Sequence, residues 1–276
     1  MLLKTLAVSA PALAVGASAA AAPYTDAVLA SNPVSYYQFE GNADDAGSGG
    51  NDGTLVGPAS AFAPASFGIG QVFTDATGTD TAPGPGTNLI DLGLNGADSL
   101  FGDLQGSEAV SVEFIMDFDT VTSDGNVLFV PNPSNAAAVA VRVSSIGANI
   151  GGRSTGGDSF RNFGVFDGSV FDGPTHVVTI IDYAGDEIRV FADGVLVGSQ
   201  AAAFNSDTLS FPTSDDPISI GASPSNNLAA SYDELAIYGR ALTASEIQGH
   251  FNAIPEPASL ALVGAGAALM IGRRRK

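Results

Sequence analysis

Between residues 110 and 118 the chain alternates: Val110, Val112, Phe114, Met116 and Phe118 fall in one register, Ser111, Glu113, Ile115 and Asp117 in the other. A period of two puts the sets on opposite faces of a strand, one apolar and one mostly polar, as in one sheet of a β-sandwich whose second face turns outward. Weaker runs of the same kind predict strands at 34–40, 127–130, 137–143 and 218–221. The strongest local signal is 175–199. Residues 176–183 are rich in β-branched side chains, Ala184-Gly185-Asp186 makes a turn into 187–192, and Asp193-Gly194 then supplies the pair that a type I′ hairpin requires before 195–199 returns. Three antiparallel strands follow from this stretch alone.

A further strand is predicted at 232–238, with Leu235 and Ile237 on one side. After it, Thr243 and Glu246 have the spacing of a capping box, and Leu242 and Ile247 that of a hydrophobic staple, so a short helix is predicted over about 244–251. Elsewhere Gly, Pro, Asn, Asp and Ser clusters recur without long helical periodicity. The chain therefore reads as all-β, short strands joined by many turns, with one short C-terminal helix.

Both ends read differently from the middle. Lys4 precedes an apolar run from Leu6 to Val15, followed by Ala17-Ser18-Ala19 and Ala20-Ala21-Ala22, the pattern of a secretory signal peptide over 1–22. At the other end Pro255, Glu256 and Pro257 precede fifteen residues, 258–272, in which Ser259 is the only polar side chain, and then Arg273, Arg274, Arg275 and Lys276. Fifteen helical residues span about 22 Å, short of a roughly 30 Å hydrocarbon core, which suits a transient anchor held at its cytoplasmic end by the cations. The order of motif, apolar stretch and basic end resembles the PEP-CTERM sorting signal. That resemblance implies 254–276 as a sorting segment, an exosortase-type protease as partner, passage through the inner membrane of a Gram-negative bacterium, and a cell-surface or matrix destination.

Charge narrows the partners of the domain between, 23–253. Outside the two end segments the chain keeps five arginines, no lysine and 28 acidic residues, a balance of −23. Such a field repels nucleic acid and anionic lipid. There is no cysteine, hence no disulfide and no thiolate chemistry. Two histidines, His176 and His250, without cysteines do not make a usual zinc site. Both are expected to be structural, His250 as a cation in the last turn of the short helix.

Three stretches carry a second resemblance: Gly50-Asn51-Asp52-Gly53-Thr54-Leu55-Val56; His176-Val177-Val178 through Val190-Phe191-Ala192-Asp193-Gly194; and Tyr232-Asp233-Glu234-Leu235-Ala236-Ile237-Tyr238 through Arg240-Ala241-Leu242. They resemble the LamG-like, concanavalin A-like group, which implies a jelly-roll sandwich of two antiparallel sheets. Relatives commonly place a tryptophan before the central histidine; here Pro174-Thr175 stand there and the chain has no tryptophan. Tyr36, Tyr37, Tyr183, Tyr232 and Tyr238 are the tyrosines left to stack on a sugar.

The glutamate-aspartate-glutamate spacings by which glycoside hydrolases of this fold carry their carboxylates on one strand are absent, as is a Gly-x-Ser-x-Gly elbow. The expectation is a non-catalytic surface or matrix module that engages polysaccharide or protein. A glycan-cleaving hydrolase on the same scaffold and a purely structural acidic coat protein are the alternatives. Calcium is the one ligand the loops suggest: Asp44, Asp45, Asn51 and Asp52 offer oxygens around a Gly-rich loop, though solvated Asx turns would use the same residues.

Overall fold

The computed structural model describes residues 22–56, 62–64, 71–75, 89–94, 96–132, 137–212, 217–221 and 228–255. The predicted signal peptide up to residue 21, the sorting segment from Glu256 onward and its terminal arginines lie outside them. The strands in chain order are β1 Ser35–Tyr37, β2 Thr54–Val56, β3 Phe62–Pro64, β4 Gln71–Asp75, β5 Leu89–Leu94, β6 Ala109–Asp117, β7 Gly125–Pro131, β8 Ala137–Ser144, β9 Gly147–Gly152, β10 Arg161–Val165, β11 Pro174–Asp182, β12 Glu187–Ala192, β13 Val195–Ala201, β14 Pro217–Ile220 and β15 Ala230–Tyr238. Helices α1 Ala22–Ala30, α2 Leu100–Leu104 and α3 Ala244–Ala253 complete the description.

The strands form two antiparallel sheets. Sheet A runs β13-β12-β11-β6-β15-β4-β3, with β1 also paired to β15; sheet B runs β10-β9-β8-β7-β14-β5-β2. Between them lies the main core, to which β6 contributes Val110, Val112, Phe114 and Met116, β15 Tyr232, Leu235 and Ile237, and β8 Val139, Val141 and Val143. The apolar register read from β6 is thus the inward one.

Two local predictions are met in detail. In the β12–β13 hairpin Asp193 and Gly194 both have positive φ, 47° and 79°. The positive φ at Gly194 is what favours glycine there; the Gln248 amide lying 2.8 Å from where a Cβ would stand is the movable end of a side chain. In α3 Thr243 Oγ1 accepts from the Glu246 amide at 3.2 Å, and Glu246 Oε2 accepts from the Thr243 amide at 2.8 Å, completing the capping box. The helix reaches Ala253, two residues beyond its predicted end, so it directly abuts Pro255.

The outward face of sheet A departs from expectation. The polar register of β6 is not turned to water: Ser111 and Glu113 are both fully buried. Helices α1 and α3 lie over that face, where Tyr24, Val28, Tyr36, Ile115, Val178, Ile180, Tyr238, Leu242 and Ile247 form a second apolar cluster. Helix α1 escaped prediction because its sequence, Ala-Pro-Tyr-Thr-Asp-Ala-Val-Leu-Ala, has almost no amphipathic contrast; tertiary packing at Tyr24 and Val28 decides it.

Candidate functional site

Among the described residues no helix covers the outer face of sheet B, and a groove of ≈ 660 Å³ crosses β7, β8, β9 and β10 there. Register fixes what faces into it. Asn126 pairs with Arg142 and Arg142 with Asn149, so an amide, a guanidinium and an amide stand side by side across three strands. One step along, Asn162, Gly151, Ala140 and Phe129 form a second row. Two phenylalanines close the groove. Phe160 is 37% and Phe166 53% exposed, and each rests on a glycine. A Cβ at Gly151 would come within 2.5 Å of the Phe160 ring, and one at Gly164 within 2.3 Å of the Phe166 ring. These positions lack side chains where the rings lie against the sheet.

The loops that present the rings are braced. Asp158, largely buried, accepts from the Ser154 amide at 2.7 Å, the Ser154 hydroxyl at 2.5 Å and the Asn205 amide at 2.9 Å. Burial alone would raise its pKa, but these hydrogen bonds outweigh it and hold the carboxyl below its usual value. Arg153 lies 5.0 Å from the Phe160 centroid and donates to the Ala137 carbonyl at 2.5 Å, fixing the ring from behind. Past Phe166, Asp167 Oδ1 accepts from the Ser169 amide and hydroxyl at 3.0 and 2.7 Å, an Asx turn.

The tyrosines considered as ring platforms do not serve. Tyr36, Tyr37, Tyr183, Tyr232 and Tyr238 are all 0% exposed. The exposed rings over the groove are instead the two phenylalanines, which sequence reasoning missed; their spacing carries no signal until the glycines on neighbouring strands are placed beneath them.

Of the residues proposed for calcium, Asp45, Asn51 and Asp52 come together behind β1. Asp45 Oδ1 accepts from the Tyr36 and Gly47 amides, each at 2.7 Å, and Oδ2 from the Asn51 amide at 2.8 Å. Asp52 Oδ1 accepts from the Asp45 amide at 2.8 Å. Asn51 Nδ2 donates to Ser35 Oγ and Asp103 Oδ2, both at 3.0 Å. Asp44 instead accepts from Asn42 at 2.7 Å. Three of the four thus build the loop that carries β1. Among the described residues no cluster of three or more histidines or carboxylates is placed to hold a metal.

The residue least foreseen is Glu113. Its Oε1 accepts from Tyr24 of α1 at 2.9 Å and meets His176 Nε2 of β11 at 2.7 Å; its Oε2 accepts from Tyr238 of β15 at 2.9 Å and meets His250 Nδ1 of α3 at 3.0 Å. Burial opposes its ionisation, yet the two histidines overcome that and hold the carboxyl well below its ordinary range. Burial likewise opposes the charge on His250, and Glu113 overcomes it, raising the imidazole pKa. Burial and the Glu113 charge push the Tyr24 and Tyr238 hydroxyls up. Nearby, Tyr36 donates to Glu234, whose carboxyl burial pushes up to about 8.

Ser31 Oγ meets His250 Nε2 at 2.9 Å, so Ser31, His250 and Glu113 have the connectivity of a hydrolase triad. Ser31 is only 7% exposed, at the inner end of α1, so the chain of bonds fastens helices and presents no nucleophile to solvent. Arg240 strengthens the fastening by reaching both Glu246 of α3 at 2.7 Å and the Ser31 carbonyl at 2.8 Å. The structural expectation for both histidines thus finds its reason in a buried carboxylate.

The family profile described as "Concanavalin A-like lectin/glucanases superfamily" matches residues 95–248, more than half of the chain. The chain belongs to that superfamily. A second profile, the PEP-CTERM protein-sorting motif, matches residues 253–276. No curated protein matches the sequence. Among solved structures, the concanavalin A-like chain is similar to the receptor-binding domain of botulinum neurotoxin C/D mosaic serotype at 12% identity and TM-score 0.57, over 80% of this chain and 51% of that one. It is also similar to the botulinum neurotoxin serotype D ligand-binding domain, solved with N-acetylneuraminic acid, at 10% identity and TM-score 0.53, over 82% and 52%. The protein spans about half the length of these relatives, and at such identities the likeness establishes the fold. The sorting motif marks the concanavalin A-like domain as secreted, exported through a membrane-associated, exosortase-type system to the cell surface.

Proposed function

We propose that this protein is a non-catalytic surface module that binds extracellular polysaccharide in the groove over β7–β10. The observation that supports it is the pair of exposed rings, Phe160 and Phe166, seated on Gly151 and Gly164 beside a row of amides. Ring faces stack on the apolar faces of sugars, and amides both donate to and accept from hydroxyls. Cleavage is the weaker reading, since among the described residues Asp124 is the only carboxylate lining the groove and glycoside hydrolysis generally uses two. Sorting would proceed at Pro255, Glu256 and Pro257, with Arg273, Arg274 and Arg275 keeping the tail end in the cytoplasm of a Gram-negative host.

Affinity electrophoresis of the exported chain through gels containing a panel of polysaccharides tests the reading. At least one polymer should retard it, and Phe160→Ala with Phe166→Ala should restore free mobility, whereas Val195→Ala with Leu196→Ala, equally exposed on sheet A, should not. No retardation by any polymer, or equal loss in both double variants, would refute the groove.

A further inference from the structure

The groove's one cation points to the class of polysaccharide. Of the five arginines outside the end segments, Arg189 is paired with Asp182 at 2.9 Å and Arg240 with Glu246 at 2.7 Å. Arg153 is committed to the Ala137 carbonyl and the Phe160 ring. Arg161 is half-buried in β10. Arg142 alone is exposed, and among the described residues it has no carboxylate partner. Its neighbours in register are instead Asn126 on one side and Asn149 on the other. With strands about 4.8 Å apart, the three side chains make a donor row roughly 10 Å wide on the groove floor.

A guanidinium presents a planar fork that matches a carboxylate, and flanking amides suit the hydroxyls beside it. We infer that the groove takes a uronate-bearing polysaccharide, with Arg142 receiving the sugar carboxylate between Asn126 and Asn149. This rests on the groove reading above. Asp124 lines the same groove and works against any anion there, as does the net charge of the domain. Selectivity must therefore come from the short-range fork.

Polygalacturonate and its methyl ester share a backbone and differ in carboxylate charge, so their binding to the exported chain, measured by titration calorimetry at fixed ionic strength, isolates the fork. Polygalacturonate should bind at least tenfold more tightly than the ester. Arg142→Gln should abolish that difference, Arg142→Lys should retain part of it because the charge stays while the fork is lost, and Phe160→Ala should weaken both polymers. Equal or tighter binding of the ester, or a preference that survives Arg142→Gln, would overturn the assignment while leaving the groove standing. Binding of polyglutamate as tight as that of polygalacturonate would overturn it in favour of acidic peptide. Failure of both polymers, with another glycan bound in a Phe160-dependent way, would overturn the uronate alone; no glycan bound at all would overturn the groove with it.

Discussion

Replacing Glu113 by glutamine tests the most unusual feature of the fold. The carboxylate is fully buried and meets four side chains, Tyr24, His176, Tyr238 and His250. Glutamine keeps the shape but removes the charge that raises the His250 pKa, and turns one acceptor oxygen into a donor. Breaking one side of a buried, hydrogen-bonded charge cluster costs about 3–5 kcal/mol. Tyrosine hydroxyls can reverse their roles, so the low end, about 3 kcal/mol, is expected, equivalent to a fall in Tm of roughly 6–12 °C for a domain of this size. The pH profile gives a second reading. The His250 imidazole is raised above its ordinary value of 6.5, so its contribution is fully present below about pH 6.5 and is lost as pH rises through the folded value. Glu113 is lowered from 4.5, so its contribution is present above about pH 4.5 and is lost as pH falls. Stability from the cluster should therefore be greatest between about pH 4.5 and 6.5 and decline toward alkaline pH, and Glu113→Gln should flatten that maximum. Thermal melts across pH 4 to 9 provide the assay, with hydrogen exchange to show that lost protection centres on α1 and α3. A variant that melts within about 1 °C of the parent with an unchanged pH profile would refute the reasoning.

Thr243→Ala removes the cap of α3 and should cost about 1 kcal/mol, a Tm drop of roughly 2–4 °C by calorimetry. Gly164→Ala places a Cβ against the Phe166 ring and the Asn149 amide, both movable side chains, so it should weaken polysaccharide retardation several-fold while Tm shifts by less than about 2 °C. If the Asp45–Asp52 loop binds calcium, millimolar calcium should raise Tm above that in chelator; identical melts would remove calcium from this loop.

What was legible in the sequence was local. The Asp193-Gly194 hairpin and the Thr243–Glu246 cap depend on residues within a few positions of each other, and both are realised. Glu113 was misplaced because alternation assigns a face without saying what covers it; the cover, α1 and α3, comes from residues 89 and 137 positions away. The groove was half visible. The tight Ser145-Ile146 turn sets Arg142 opposite Asn149, a register a reader could have drawn, whereas Phe160 and Phe166 gain meaning only with Gly151 and Gly164 beneath them.

The fastening at Glu113 also ties the two ends of the domain to one point. The buried carboxylate is held by Tyr24 from the first helix and His250 from the last, so its full set of partners is present only when both ends of the domain are in place. A chain cut short of His250 would leave the Glu113 carboxylate facing Tyr24, His176 and Tyr238 without the α3 imidazole. The last of these partners along the chain, His250 with its Nδ1 on the Glu113 carboxylate, stands five positions before Pro255.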